Sequence, residues 1–335
     1  MQPLVSILIP CYNAEQWLTE TIESALAQTW QNKEIIVVDD GSTDNSLDIA
    51  KQFESSIVKV ISQENRGGSA ARNTAYKACQ GEFIQYLDAD DLLAPTKIES
   101  QIKLLDQEDN VNCIAAGEWA RFYKIPSKAQ FIPQPPWADM NPVDWLVCTW
   151  SGNWMMHPAA WLVPRHIVNQ AGLWNESLSL DDDGEYFCRV VLASAGVKFC
   201  FGAKSYYRSG SPISVSASKS KIAWKSALDV IDLCTDVLLS VENTLRTRQS
   251  CAARYQYFIY SAYPSSLDLI QQAEDLVEQL GGSTIKPTGG LVFQLLSNLM
   301  GWKITKHIQI FRSKLMSDAD QYTIFSFQKK YGFSD

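Results

Sequence analysis

The feature that most constrains the fold is a unit repeated in the first third of the chain: a short β-branched run, a polar turn, then a helical pattern. The runs are Leu4–Ile9, Glu34–Asp39, Ile57–Ile61 and Phe83–Leu87, and Val111–Gly117 supplies a further strand. Between the first two, Glu15–Gln28 sets Trp17, Leu18, Thr21, Ile22, Ala25 and Leu26 on one helical face. A second helix is expected from Ser42 or Thr43, and a third from Gly67–Ser69. Strands alternating with helices predict right-handed βαβ units, and so an α/β fold with a mostly parallel central sheet.

The texture changes after Glu118. Residues 119–174 hold seven tryptophans, with a proline-rich loop, Ile132–Trp137, among them. Leu180–Ala195 reads as a helix with acids in its first turn, which suits the helix dipole. Gly202–Ser220 has the composition of a linker or lid. From Lys221 to Leu280 the pattern is helical, broken at Tyr263–Pro264, and glycine pairs at 281–282 and 289–290 bracket another linker. The expected organisation is a sheet-containing domain over 1–218, with a first half at about 1–118 and a second at about 119–218. A helical C-terminal region follows over 219–335.

Composition excludes several classes. With 46% hydrophobic and 20% charged residues the chain is globular and not disordered. A net charge of −8 argues against nucleic acid as a partner, which needs a basic face. The eight cysteines form no C-x-x-C pair, as expected for buried, reduced thiols in a cytoplasmic protein. The start, MQPLVSILIPCYN, lacks a basic leader and reads as a strand rather than a signal peptide. No apolar stretch approaches the ~20 residues of a spanning helix.

Three polar clusters lie at the carboxyl ends of predicted strands, where open α/β sheets place ligands. They are Pro10–Asn13, Asp39–Asp44 and Asp88–Asp91. Carboxylates gathered on one sheet edge repel each other. A divalent metal carrying diphosphate oxygens would relieve that, because Mg²⁺ and Mn²⁺ favour one or two carboxylates plus substrate phosphates. The plainer role, capping helices and fixing turns, stays open for Ser42 and Asp44.

The strings VSILIPCYN, VVDDGSTDNS, NRGGSAARN and YLDADD, in that order within the first 91 residues, resemble the inverting family-2 glycosyltransferases. The resemblance extends to Tyr207 and Arg208. It implies a GT-A fold, a nucleotide-sugar donor and a divalent cofactor, Mn²⁺ or Mg²⁺. It places Pro10, Tyr12 and Asp40 at the nucleobase, with Arg72 a donor-binding arginine, against a salt bridge to one of the same acids as the alternative. Asp88, Ala89 and Asp90 fall on the donor and metal side, Asp90 as direct metal ligand with Asp88 beside it. Asp91 is expected to cap the following helix. The run Leu180–Arg189 resembles the family's acidic pair six residues before a helical arginine. That makes Asp183 the general base and Asp182 the fallback, the register among Asp181, Asp182 and Asp183 being open by one. Arg189 is expected to pair with a carboxylate and hold its helix. Where the family often carries a histidine after the Tyr-Arg pair, this chain has serine and glycine.

Trp150 and Trp154 are the candidate acceptor contacts, against core packing as the alternative. His157 is expected to be surface or structural, with contact to the acceptor as the alternative. Between Glu278 and Asp318 there is no acid, while Lys286, Lys303, Lys306, Arg312 and Lys314 add positive charge. The segment 286–316 therefore either lies on anionic lipid at the inner face of a membrane or packs on the catalytic domain with a solvated basic side.

The implied activity is metal-dependent, inverting transfer of a sugar from a nucleotide donor, UDP-linked, to an acceptor hydroxyl in glycan, polysaccharide or glycolipid assembly. The alternative is a non-catalytic nucleotide-sugar-binding or scaffold protein on the same fold. A nucleotidyltransferase would need a glycine-rich basic loop after the first strand, and a dinucleotide oxidoreductase a G-x-G-x-x-G; neither is present.

Overall fold

The computed structural model describes residues 2–210 and 220–312. Four strands, β1 (Val5–Cys11), β2 (Lys33–Asp39), β3 (Val58–Ser62) and β4 (Phe83–Tyr86), pair in parallel in the order β3-β2-β1-β4. β1 and β2 are buried on both faces, which is why they read as continuous apolar runs rather than alternating ones. The helices α1 (Leu18–Leu26), α2 (Ser46–Gln52) and α3 (Gly68–Ala78) make the crossovers. The second helix starts at Ser46 rather than at Ser42 or Thr43. Ser42 and Asp44 instead accept from the Asn13 and Glu15 amides and tie the β1 turn to the β2 turn.

The sheet continues through β7 (Trp161–Pro164), β6 (Cys113–Phe122), β8 (Gly196–Arg208) and β5 (Leu92–Leu93). β7 is antiparallel to both β4 and β6, β8 is parallel to β6, and β5 is antiparallel to β8. The sheet as a whole is therefore mixed. β8 also corrects the expectation of a linker or lid from Gly202: residues 202–208 are strand, and only Ser209 and Gly210 of the remaining stretch before residue 211 are described. The glycines belong to a register shift, in which Gly117 pairs with Cys200 but Glu118 pairs with Lys204. A Cβ on Gly117 would sit 2.2 Å from the Ala203 carbonyl oxygen, so only glycine fits there.

One face of the sheet is covered by α1, α2 and α4 (Lys97–Leu105), the other by α3, α5 (Pro142–Gly152), α6 (Arg165–Ala171) and α7 (Asp182–Ala193). On that second face, Val230, Cys234 and Leu238 of α8 (Lys221–Val241) and Cys251 of α9 (Leu245–Ala262) join the same core. The C-terminal helices up to α10 (Leu267–Gln279) are thus packed onto the sheet domain. Six of the seven clustered tryptophans are buried, and Trp154 is 41% exposed. Beyond α10, α11 (Leu291–Met300) has no buried residue, and 302–312 is helical. Among the described residues no helix is long and apolar enough to cross a membrane. The eight cysteines are free and all but Cys148 are buried.

Candidate active site

The carboxyl ends of β1, β2 and β4 form one edge of the sheet. At β1, Tyr12 is 52% exposed while Cys11 behind it is buried. At β2, Asp40 is only 2% exposed: Oδ1 accepts from Gln63 Nε2 at 2.7 Å and the Arg66 amide at 3.0 Å, and Oδ2 from the Gly67 amide at 2.7 Å. Asp40 thus anchors the turn that leads into α3. A carboxylate so engaged has little acceptor capacity left for a base, so its direct contact with a nucleobase is narrower than the sequence implied. The turn itself needs Gly41, whose φ is +72° and whose Cβ would meet the Asn65 amide at 2.9 Å.

The centre of the edge is Arg72 on α3. Its Nη2 donates to Asp88 Oδ1 at 2.8 Å and its Nη1 to Asp182 Oδ2 at 3.1 Å, while the guanidinium lies 4.4 Å from the Trp174 ring centre. Burial works to lower the Arg72 pKa, but Asp88 and Asp182 outweigh it and raise the group above its ordinary value. Ser69 Oγ donates a further bond to Asp182 Oδ2 at 2.7 Å. Asp182 is therefore held in place. Asp183, by contrast, accepts among the described residues only from the Gly184 amide, at 3.0 Å. Burial, with Asp181 and Asp182 beside it, pushes its carboxyl up to about 8. Of the three consecutive aspartates, Asp183 is the one without an ion pair among the described residues.

Asp181 is the third. It adopts φ 60°, ψ 25° at the start of α7 and accepts from Arg254 Nη2 of α9 at 2.9 Å. A Cβ on Gly184 would lie 2.5 Å from Asp181 Oδ1, so this glycine lets the α7 turn close on the pair. Ser226 Oγ of α8 accepts from the Ser179 and Leu180 amides at 2.9 and 3.1 Å. The loop that presents Asp183 is thus braced from the C-terminal helices. Arg189 pairs with Glu185 at 2.6 Å and donates to the Leu173 carbonyl, holding the helix as expected.

Asp91 does not cap a helix. It is fully buried, with Oδ2 3.0 Å from His157 Nδ1 and Oδ1 accepting from the Arg208 amide at 2.9 Å. His157 Nε2 lies 2.8 Å from Ser205 Oγ. Burial pushes the imidazole down to about 3 and the Asp91 carboxyl up, so a single proton serves the Nδ1–Oδ2 contact. Arg208 Nε donates to the Asp90 carbonyl at 2.8 Å and Nη2 to Glu20 Oε2 at 2.6 Å. His157 and Arg208 thereby fix the backbone of the Asp88–Asp91 turn. Spacing gave no signal for His157, Glu20 or Arg254 in these roles, since each partner lies far away in sequence.

Asp90 remains. Burial, then Asp91 and Asp88, push its carboxyl up to about 7. Among the described residues no three potential ligands gather as a metal cage. One free carboxylate plus the second oxygen of Asp88 fits an ion that takes its remaining ligands from a diphosphate.

Trp150 is buried in the core with Arg254 stacked 4.9 Å from its ring centre, which leaves it little surface for an acceptor. Trp154 is the exposed one of the two.

A sheet of this order, with acids on its carboxyl edge, defines a GT-A fold, and comparison with known structures agrees. The chain superposes on Staphylococcus aureus TarS 1–349 in complex with UDP with a TM-score of 0.60, at 17% identity over 82% of this chain and 88% of that one. It superposes on the mannosyltransferase PcManGT of Pyrobaculum calidifontis, in complex with GDP-Man and Mn²⁺, with a TM-score of 0.54, at 16% identity over 96% and 87%.

Residues 6–136 match the glycosyl transferase family 2 profile. Among curated relatives, the glycosyltransferase GlyG of Streptococcus pneumoniae is 29% identical over 247 residues, 70% of this chain and 79% of the relative. The chain spans only 31% to 60% of the length of the first Rickettsia relatives it matches.

Proposed function

We propose that the chain is an inverting, metal-dependent glycosyltransferase that moves a sugar from a UDP-linked donor to an acceptor hydroxyl. The observation that carries this reading is the Arg72 bridge. One guanidinium joins the β4 turn to the start of α7, so the acids on the donor side and the candidate base are brought to one edge of the sheet.

There Asp183, in its ionised form, takes the proton of the acceptor hydroxyl as it attacks the anomeric carbon from the face opposite the nucleotide. A base so placed contributes about 10²–10⁴-fold. Arg72 and Ser69 hold Asp182 through Oδ2, which leaves Asp183 as the adjacent carboxylate without an ion pair among the described residues. Tyr12 presents a ring to the base, and Asp40 holds the 63–67 turn beside it. A divalent ion held by Asp90 and Asp88 would supply charge neutralisation for the departing diphosphate. The nucleotide ligands of the two structural neighbours, and the Mn²⁺ of one, support a donor and a metal of this kind.

The test is a panel of nucleotide sugars incubated with Mn²⁺ or Mg²⁺ and no acceptor. Slow release of nucleotide from one donor, abolished by chelation, is expected. Release from none, by folded protein, would favour the binding-protein reading.

The acceptor is a glycan or glycolipid, handled at the cytoplasmic face of a membrane. α11 exposes Leu291, Val292, Leu295 and Leu299, and the following helix carries Lys303, Lys306 and Arg312. Lys314, also part of this basic segment, lies outside the described residues. Apolar residues beside bases suit an anionic lipid surface. Full-length chain should sediment with anionic liposomes while a chain ending near Gly281 should not. Equal sedimentation would leave this segment a helix without a membrane role.

A further inference from the structure

A groove of about 640 Å³ opens at the end of β6, lined by Trp119 to Ile125 and parts of the 128–134 loop. It lies two strand spacings from β4, roughly 10 Å along the sheet, and so beside the donor crevice rather than within it. Its inner wall is continuous with the site. Trp119 packs 5.6 Å from the His157 ring, and the Arg208 guanidinium lies 4.5 Å from the Phe122 ring centre. Those are the two residues that hold the Asp88–Asp91 turn.

The lining has one sign of charge. Arg121, Lys124 and Lys128 are exposed, and no acid lines the groove. Arg121 is aimed by a bond to Ser209 Oγ at 3.1 Å and by the Tyr207 ring 4.9 Å away, and none of the three cations meets a carboxylate among the described residues. Tyr123, Ile125 and Ile132 are exposed beside them and give an apolar floor. In a chain of net charge −8, three cations on one concave surface without a matching acid favour a ligand that brings the anions.

We propose that this groove seats an acceptor chain bearing repeated phosphate or carboxylate groups beside its hydroxyls. The inference rests on the sugar-transfer reading and names the acceptor class for that same site. Neutral glycans would leave the cations unmatched, whereas an anionic chain pairs with them while its carbon skeleton packs on the aromatic and aliphatic floor.

Calorimetric titration tests it with three probes: an oligogalacturonate hexamer, a glycerol phosphate hexamer and neutral maltohexaose. At least one anionic hexamer should bind more tightly than maltohexaose, with affinity falling as salt rises. The Lys124→Glu/Lys128→Glu chain should bind it about tenfold more weakly. Whichever anionic probe binds identifies the charged group. Equal binding of the neutral hexamer, or no effect of charge reversal, overturns the inference. Binding of UDP to the same wild-type protein is measured alongside. If UDP binds and the anionic hexamers do not, only the acceptor class is wrong, whereas absent UDP binding counts against the transfer reading itself.

Discussion

Asp182 and Asp183 are neighbours of one residue type, and their surroundings give them different work. Asp182 is paired through Oδ2 with Arg72 and Ser69, while Asp183 makes no ion pair among the described residues and has a raised pKa. Spacing from Arg189 could not decide between them, because the deciding partner, Arg72, lies 110 residues earlier. Arg72→Met would strand Asp88 and Asp182 beside each other. It should lower stability by about 2–4 kcal/mol in urea unfolding, somewhat below a fully buried pair because both acids are partly exposed. An unchanged midpoint would contradict the bridge. The raised Asp183 carboxyl has a stability consequence of definite sign. Its folded value, about 8, lies above the ordinary carboxylate value near ~4, so the native state binds the extra proton between them. Stability therefore falls as pH rises from ~4 to about 8. Asp183→Asn should melt higher than wild type at pH 8 and flatten this slope. Parallel curves for the two proteins between pH 5 and 8 would show the group is not strained.

At the scale of elements, the parallel half was readable because each of its strands is an apolar run closed by a polar turn. The other half was not. β7 is four residues ending in proline, and β8 hides its strand character behind the glycines that its register shift requires. Asp91 was misread for a related reason. An acid after a strand resembles a cap locally, and only the buried His157 shows its actual partner. The turn into α7 depends on contacts from two other helices, and Gly184 is its tightest point. Gly184→Ala would drive a methyl into Asp181. A displacement of an ångström or so at the adjacent Asp183 is expected to cost roughly 10²-fold in transfer rate. A rate within twofold of wild type, measured with saturating donor, would show that the turn tolerates the methyl.

For the whole molecule, the division drawn from composition places a boundary at 218, but Val230, Cys234, Leu238 and Cys251 complete the core under α7. A chain ending at 218 should be insoluble or melt far below the full chain. One ending near Gly281 should melt only modestly below it, since α11 buries nothing and the loss is confined to Trp302 on Tyr260 and Tyr263 and a few polar contacts of 282–312. Comparable melting of both would show that the C-terminal helices are dispensable. The seven-tryptophan segment invited a sugar platform, yet six of its indoles are core, because large rings fill the space between sheet and helices. The acidic edge was legible at the level of which residues converge, and its wiring through Arg72, His157 and Arg254 was not.

The most direct test compares Asp183→Asn with wild type for metal-dependent turnover of a nucleotide sugar, with nucleotide affinity measured on both. The account predicts turnover to acceptor lower by about 10²–10⁴-fold with nucleotide affinity little changed. Equal turnover by the two proteins would contradict it.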